Sequence, residues 1–182
     1  MTPASGDPQA AAARRGERGA FDALMRREKA GLYAFVRRYV GDADEAVDVT
    51  QEAFVAAWRA IGRYDPARPF GVWLRAIALN KCRDHARRAK VRRLFLGAFA
   101  AEPPAPPAEP LDDERDAALA RLDQAIARLP DRYRAPLLLT TAGGLSHEEA
   151  GRVLNLSAKA VEMRLYRARR DLTAMLAPIG EG

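Results

Sequence analysis

The chain carries, from Leu154 to Arg169, the stretch LNLSAKAVEMRLYRAR. If this stretch is helical from Ala158 onward, a rotation of about 100° per residue gathers its apolar residues into one narrow stripe. The stripe consists of Val161, Leu165, Ala168 and Leu172. The opposite side carries Lys159, Met163, Tyr166, Arg167 and Arg170. Such a helix buries little of its surface and offers cations, a tyrosine and a methionine to a partner.

The residues before this helix predict a shorter helix and a tight turn. Ser146 with Glu149 three residues later is typical of a capping box. Asn155 to Ser157 form the turn, and Ser157 caps the longer helix. A short capped helix, a three-residue turn and an amphipathic helix describe a helix-turn-helix, whose second helix lies in the DNA major groove. The alternative is an ordinary helix with a solvated cationic face.

An acidic, proline-rich spacer divides the chain. Five prolines lie between residues 103 and 110, where they prevent a helix and favour an extended tether. Residues 1–96 hold 19 Lys and Arg against 11 Asp and Glu, whereas residues 97–182 hold 11 against 13. The basic half suggests a polyanionic partner. The apolar stretch LFLGAF, residues 94–99, belongs either to a core or to a surface that a partner covers.

We predict an all-α fold of two small helical domains, because the sequence has helical periodicity on both sides of the spacer and no alternating run long enough for a sheet. The first domain should contain helices from Ala20 to Val40, from Asp44 to Ile61, and from about Phe70. The second should contain helices from Asp112 to Arg128, from about Asp131 to Ala142, and the helix-turn-helix. The predicted divisions are a disordered tail at 1–18, a domain at 19–96, a linker at 97–113 and a domain at 114–177.

Two helices of the first domain have unusual charge. The outer face of the second helix carries Glu45, Asp48, Glu52 and Arg59. Residue patterns alone favour it as an acidic solvated face over a docking surface. The third is apolar at first and then basic, with eight cations and one acid between Arg75 and Arg93. A basic run beside aromatic residues suits single-stranded nucleic acid, although those aromatic residues also suit a core.

The sequence offers few residues that could form a catalytic site or a metal site. The chain has two histidines, His85 and His147, and one cysteine, Cys82, which is too few neighbouring ligands for a zinc site. There is no glycine-rich phosphate loop. We expect no enzyme activity, no metal and no cofactor, with Cys82 packed on a helix and redox sensing as the lesser alternative. Without a signal-like or membrane-spanning segment, a cytoplasmic protein with no membrane insertion is expected.

Taken together, the residues resemble the extracytoplasmic-function (ECF) group of the sigma-70 family of bacterial RNA polymerase sigma factors. In the first domain the resemblance is carried by Asp48-Val49-Thr50-Gln51-Glu52-Ala53-Phe54 and by Trp73-Leu74-x-x-Ile77-Ala78-x-Asn80. In the second it is carried by Leu129-Pro130, Leu145-Ser146-x-x-Glu149 and Val161-x-x-Arg164-Leu165-x-Arg167-Ala168-Arg169. The resemblance spans about Phe21 to Leu176.

The resemblance implies a transcription initiation factor that binds core RNA polymerase and directs it to promoters. Contacts with the clamp helices of the largest polymerase subunit would come from Asp48, Gln51, Glu52 and Glu45. Contacts that melt and capture the −10 element would come from Tyr64, Asp65, Ala67, Arg68, Asn80, Lys81, Arg83, Arg87 and Arg88. Contacts with the −35 element would come from Ser157, Lys159, Ala160, Glu162, Met163, Arg164, Tyr166, Arg167 and Arg170. Further implied partners are the β flap of the polymerase and an anti-sigma factor.

The sequence departs from the family pattern at two places. Glu162 stands where a basic residue is common, and because Glu accepts from cytosine but repels phosphate, an unusual −35 preference is expected. Ala150-Gly151 replaces the usual Ile-Ala. A mid-helix glycine costs up to ~1 kcal/mol relative to alanine, so Gly151 indicates either close packing or a weaker motif.

The alternative function is a helix-turn-helix regulator that binds duplex DNA without being a polymerase subunit. It accounts for the C-terminal domain but leaves the basic run of the first domain unexplained.

Overall fold

The computed structural model describes residues 7–95 and 114–177, with side chains at residues 7–92 and 117–177. All regular secondary structure within these ranges is helical, which confirms the all-α prediction. The helices are α1 (Pro8–Arg14), α2 (Arg18–Val40), α3 (Ala43–Ala60), α4 (Phe70–Phe95), α5 (Glu114–Arg128), α6 (Asp131–Thr141), α7 (His147–Leu154) and α8 (Ala158–Leu176). The predicted linker at 97–113 lies outside the described residues, as do the side chains of the apolar stretch at 94–99.

The first domain is a bundle in which α2, α3 and α4 pack on one another. Helix α2 ends at Gly41, whose φ of 90° favours glycine. The Asp42 carboxylate then caps α3 by accepting a hydrogen bond from the Glu45 backbone N–H at 2.9 Å. The core includes the fully buried side chains of Leu24, Leu32, Phe35, Val36 and Leu74. These caps explain why α2 and α3 begin and end close to the predicted residues.

A short helix, α1, precedes this bundle where the sequence predicted a disordered tail. The prediction is wrong for the described part of the tail. The Asp7 side chain caps the first turn, and Pro8 suits the first helical position. Ala10 and Ala13 are fully buried in a helix that packs on α2, and Asp7 also pairs with Arg27 of α2. The alanine run of this tail is therefore an apolar helix face.

Helices α5 to α8 form the second domain, and α7, a turn and α8 form the predicted helix-turn-helix. The Ser146 hydroxyl accepts from the Glu149 N–H at 3.2 Å, and the Glu149 carboxylate accepts from the Ser146 N–H at 2.8 Å. Helix α7 ends at Asn155, with a φ of 55°, and Ser157 caps α8 by accepting from the Ala160 N–H at 3.1 Å. The capping box and both ends of the turn are confirmed.

Gly151 lies inside α7 because the helix passes close to the turn that follows it. A Cβ at this position would lie 2.6 Å from the carbonyl oxygen of Leu156 and 3.6 Å from the backbone nitrogen of Ala158. The Leu156 N–H donates to the Gly151 carbonyl at 2.8 Å, which fixes that approach. Of the two interpretations of this glycine, close packing is therefore correct.

The two domains touch each other. Helices α5 and α6 lie against α2, and α7 approaches α4. Among the described helices, none combines the length and the apolar character that a bilayer crossing requires.

Replacing Gly151 by alanine should lower the free energy of unfolding by roughly 1–3 kcal/mol, because the clash with the Leu156 carbonyl outweighs the better helix propensity of alanine. The matched control is Gly19→Ala in α2, where nothing lies within 4 Å of an added Cβ. The control should unfold at the wild-type temperature or above it. Thermal unfolding followed by circular dichroism tests both variants, and a Gly151→Ala protein as stable as wild type would contradict the packing argument.

Candidate polymerase and nucleic-acid interfaces

The outer face of α3 forms a shallow groove whose lining holds two carboxylates, Asp48 and Glu52, and two cations. Asp48 and Gln51 are exposed, and together with Val55, Arg59 and Lys81 they line a groove of about 690 Å³. Val55 is 49 % exposed, so the groove offers an apolar contact beside a carboxylate. Val55 and Arg59 were not among the predicted contacts. They follow Gln51 at helical spacing and lie on the same face of α3, so this spacing would have identified them. The groove suits a helix that carries cations around an apolar residue.

The other two predicted polymerase contacts are engaged within the chain. The Glu45 carboxylate lies 2.9 Å from Nε2 of His85. The Glu52 carboxylate lies 3.7 Å from Nζ of Lys81 and 3.3 Å from Nη2 of Arg88. These half-exposed pairs add little stability, but they hold the acidic face of α3 against the basic face of α4. Glu52, a predicted polymerase contact, therefore lies beside Lys81 and Arg88, two of the predicted −10 contacts.

The loop between α3 and α4 is built around Tyr64, and here the structure corrects a prediction. Tyr64 is only 1 % exposed, so in this conformation its ring is not available to a base. Its hydroxyl donates to the Arg68 carbonyl, and its ring packs 5.7 Å from Phe70 and 5.2 Å from Trp73, measured between centroids. Burial raises the pKa of Tyr64, so the hydroxyl stays a donor. Tyr64 shapes the loop rather than lining its outer surface.

The outer part of this loop is a tight turn that exposes its other predicted residues. The Asp65 carboxylate accepts from the Ala67 N–H at 3.0 Å, and the Arg68 N–H donates to the Asp65 carbonyl at 3.0 Å. All three residues are exposed. Because side-chain and backbone bonds fix the turn, the loop is shaped before any ligand arrives.

The basic half of α4 presents its predicted contacts on two sides. Asn80, Arg87 and Arg88 are exposed. Arg83 is different, since its Nε and Nη2 donate to the Asp131 carboxylate of α6 at 3.1 and 2.9 Å. One predicted −10 contact is thus held by the second domain.

Helix α8 turns its predicted −35 contacts outward. Ala160 and Arg164 are half-buried, and the other predicted residues of this helix are exposed. Met163 is 45 % exposed and Tyr166 is 64 % exposed, a level that a residue contributing only to the core would not reach. The buried stripe predicted for α8 is confirmed, since Val161, Leu165, Ala168 and Leu172 are its buried residues.

Glu162 forms a pair with Lys159 on this outer face. The two side chains meet at 2.8 Å, and the hydrogen bond from Lys159 lowers the pKa of Glu162. The carboxylate is therefore ionised at neutral pH. A cytosine amino group that reached Glu162 would share this carboxylate with Lys159, so the two residues act together.

Cys82 is fully buried in α4, and burial raises the pKa of its thiol to about 12. Because the thiolate is the reactive form, burial disfavours reaction of this thiol in the folded protein, which favours packing over redox sensing. Among the described residues, no group of three or more His, Cys, Asp and Glu side chains is arranged to hold a metal ion.

Two family models match the chain, each over one of its domains. The model of Sigma-70 region 2 matches residues 24–92. The model of Sigma-70, region 4 matches residues 119–172. The first range contains the groove on α3 and the basic half of α4, and the second contains the helix-turn-helix.

Curated proteins match over nearly the whole chain. The RNA polymerase sigma factor CnrH of Cupriavidus metallidurans is 38% identical over 181 residues, which cover 92% of each chain. The ECF RNA polymerase sigma factor SigW of Bacillus subtilis is 31% identical, over 90% of this chain and 92% of that protein.

Solved structures share the fold. The structure of CnrH in complex with the cytosolic domain of CnrY matches with a TM-score of 0.71 and 35% identity, over 92% of this chain and 94% of that chain. The sigma factor RpoE in complex with the anti-sigma factor NepR from Bartonella quintana also matches with a TM-score of 0.71, at 23% identity, over 86% of this chain and 96% of that chain.

Proposed function

We propose that this chain is a transcription initiation factor. It belongs to the extracytoplasmic-function group of the sigma-70 family. It binds core RNA polymerase and directs it to promoters by capturing the −10 element and reading the −35 element. The observation that carries the proposal is the arrangement of the region 2 domain, in which a groove on α3 with exposed Asp48 lies directly beside the basic face of α4. A helix-turn-helix regulator that acts without being a polymerase subunit does not require these two surfaces.

The groove on α3 is the proposed site for the clamp helices of the largest polymerase subunit. Its exposed carboxylate, Asp48, is the simplest partner for a cation of those helices, and Gln51 adds a hydrogen-bonding group one turn away. Val55 supplies the apolar contact at the centre. Glu52 already pairs with Lys81 and Arg88 of α4. Cations of the polymerase would compete with these two residues for Glu52, whereas DNA phosphates would compete with Glu52 for the two cations. Glu45 contributes by orienting His85 rather than as a free charge.

The exposed turn at 65–68 and the basic half of α4 are the proposed −10 surface. The turn is rigid and opens outward, which suits a base lifted from its stack. Asn80 can hydrogen-bond base or sugar edges, while Lys81, Arg87 and Arg88 track the phosphates of the unpaired strand. Tyr64 contributes to this surface only indirectly, because it fixes the shape of the turn.

Helix α8 is the proposed −35 reader. Its N-terminal residues Lys159, Glu162 and Met163 are placed to reach base edges, because the recognition helix of this motif meets bases near its N-terminus. Arg167 and Arg170 lie further along the same exposed face, where phosphate contacts are expected. The residues 178–182 lie outside the described residues.

Regulation by an anti-sigma factor is part of the proposal. CnrH was solved in complex with the cytosolic domain of CnrY, and this chain shares 35% identity with CnrH over 92% of its length. A protein partner that occludes the polymerase or DNA surfaces would keep the factor inactive.

Replacing Asp48 by arginine should weaken binding to core polymerase by roughly tenfold or more, because it sets a cation against the cations of the clamp helices. The fold should be unchanged, since Asp48 is exposed. Binding is measured by fluorescence anisotropy of the labelled factor titrated with core polymerase, and folding by circular dichroism.

The matched control for this variant is Glu17→Arg, the same charge reversal at an exposed residue at the start of α2. Unchanged core affinity for Asp48→Arg, or equal losses in both variants, would remove the groove on α3 as the docking site.

Replacing Arg167 by alanine should weaken promoter binding by the holoenzyme and reduce the slope of log K against log salt by about 1, because one phosphate contact is lost. The control is Arg121→Ala on α5, an exposed arginine outside the helix-turn-helix. Titration of a promoter fragment at several salt concentrations measures both effects. A slope identical to that of the control would exclude Arg167 from the phosphate contacts.

A further inference from the structure

We propose that helix α1 belongs to the −10 surface, because Asp7 at its start is a positioning residue for the turn at residues 65–68. The effect of Asp7 on DNA rests on the function proposed above. Its hold on the turn does not, since that hold is a property of the free protein.

Helix α1 is joined to α2 by a hydrogen-bonded ion pair. Oδ1 of Asp7 accepts from the backbone N–H of Gln9 at 3.0 Å, and Oδ2 accepts from Nη2 of Arg27 at 2.5 Å. Burial alone would raise the pKa of Asp7, but the hydrogen bond and charge of Arg27 outweigh it and lower this pKa. The carboxylate is therefore ionised at neutral pH, and its two oxygens have separate tasks.

The ion pair continues through α2 to the start of α4. Nε of Arg27 donates to one oxygen of Glu28 at 3.2 Å, and the other oxygen accepts from Nη1 of Arg75 at 3.3 Å. The same Nη1 donates to the Gly71 carbonyl at 3.0 Å. The side chains of Arg75 and Glu28 are only 12% and 15% exposed, so solvent and salt screen this pair less than a surface pair. Four charged side chains thus form one chain of contacts that ends in the first turn of α4.

Gly71 leaves room for this chain of contacts. A Cβ at Gly71 would lie 2.7 Å from Nη1 of Arg75 and 3.2 Å from Oε2 of Glu28. A larger residue would have to displace both groups. The glycine therefore lets Arg75 reach the backbone where α4 begins.

The turn at 65–68 lies between two attachments to this system. Before the turn, the short 3-10 helix Ile61–Arg63 packs against α1. After the turn, Arg75 holds Gly71. The Asp7 charge also adds to the burial that raises the pKa of Tyr64, so this carboxylate lies near the residue that shapes the turn. Asp7 is thus linked to both ends of the segment that exposes the turn.

The lining of one cavity brings the same groups together. Asp7 and Arg27 border a cavity of about 440 Å³, and so do Pro66 and Arg68 of the turn. A shift of α1 therefore changes the surroundings of the turn directly as well as through the chain of contacts.

Hydrogen exchange of the free protein tests the hold on the turn. Asp7→Asn keeps an oxygen for the helix cap but replaces Oδ2 by an amide group that cannot accept from Arg27. Exchange of the Ala67 and Arg68 amides should become roughly two- to fivefold faster, as expected for the loss of one ion pair. Mass spectrometry of peptides that cover residues 61–70 measures the rates at short labelling times, and circular dichroism checks the fold.

The matched control is Glu17→Gln, which removes the same charge from an exposed pair with Arg15 just after α1. Its exchange at 61–70 should equal that of wild type. Unchanged exchange in Asp7→Asn, or an equal increase in the control, would overturn the hold on the turn.

A second variant tests the route of the contacts. Arg27→Gln breaks the chain at its next link and should also speed exchange at 61–70. The double variant Asp7→Asn/Arg27→Gln should exchange no faster than Arg27→Gln, because both changes remove the same contact. Multiplied increases would show that the two residues act separately and would overturn the route through Arg27.

The effect on DNA is tested with the holoenzyme and a labelled single-stranded −10 oligonucleotide. An abasic site is moved through the oligonucleotide, and the captured base is the position where its loss weakens wild-type binding most. Asp7→Asn should reduce this preference for the intact base severalfold relative to Glu17→Gln, because a looser turn receives the base less well. Its affinity for the abasic oligonucleotide should match that of the control.

The outcomes separate this inference from the proposed function. An unchanged preference in Asp7→Asn, or equal losses for the intact and abasic oligonucleotides, would overturn the positioning of the base by Asp7. A wild-type holoenzyme with no preference at any position would count against the proposed capture of the −10 element, whereas hydrogen exchange still decides whether Asp7 holds the turn.

Discussion

The ion pairs of Glu52 with Lys81 and Arg88 connect the proposed polymerase-binding face of α3 to the proposed strand-binding face of α4. They connect α3 to α4 across a bundle whose buried α3 residues are mostly small, with Ala46, Ala53 and Ala57 fully buried. Small residues let the helices approach, and the approach brings carboxylates of one within reach of cations of the other. The proposed polymerase groove and the proposed strand-binding face are therefore neighbours because of how α3 packs.

Carboxylates of α3 and α6 pair with part of the basic charge of α4. Glu52 neutralises part of the α4 charge, and Asp131 occupies Arg83. A polyanion has to displace these carboxylates before it gains the full set of cations. If polymerase occupies the α3 groove as proposed, its cations compete for Glu52. The proposed binding to core and the proposed binding to the strand are then linked through this one side chain.

Local signals made most of the fold predictable. Gly41, Ser146 and Ser157 mark helix ends by side-chain and backbone chemistry that acts over a few residues, and α2, α3, α7 and α8 begin or end where those residues indicate. The α1 helix was missed because residues 1–18 are rich in Ala, Gly, Pro and Arg and show no helical pattern of apolar residues. The burial of Tyr64 and the contact between Arg83 and Asp131 were missed because both depend on segments distant in the chain. The named DNA and polymerase contacts stay predictions.

The most direct test of the account is transcription from fragmented genomic DNA by bacterial core polymerase, with and without this protein, followed by sequencing of the RNA 5′ ends. Discrete new start sites that share upstream −35 and −10 elements are predicted, and their −35 sequences would show what Glu162 and Met163 read. An absence of new start sites, together with specific duplex binding by the protein alone, would contradict the account.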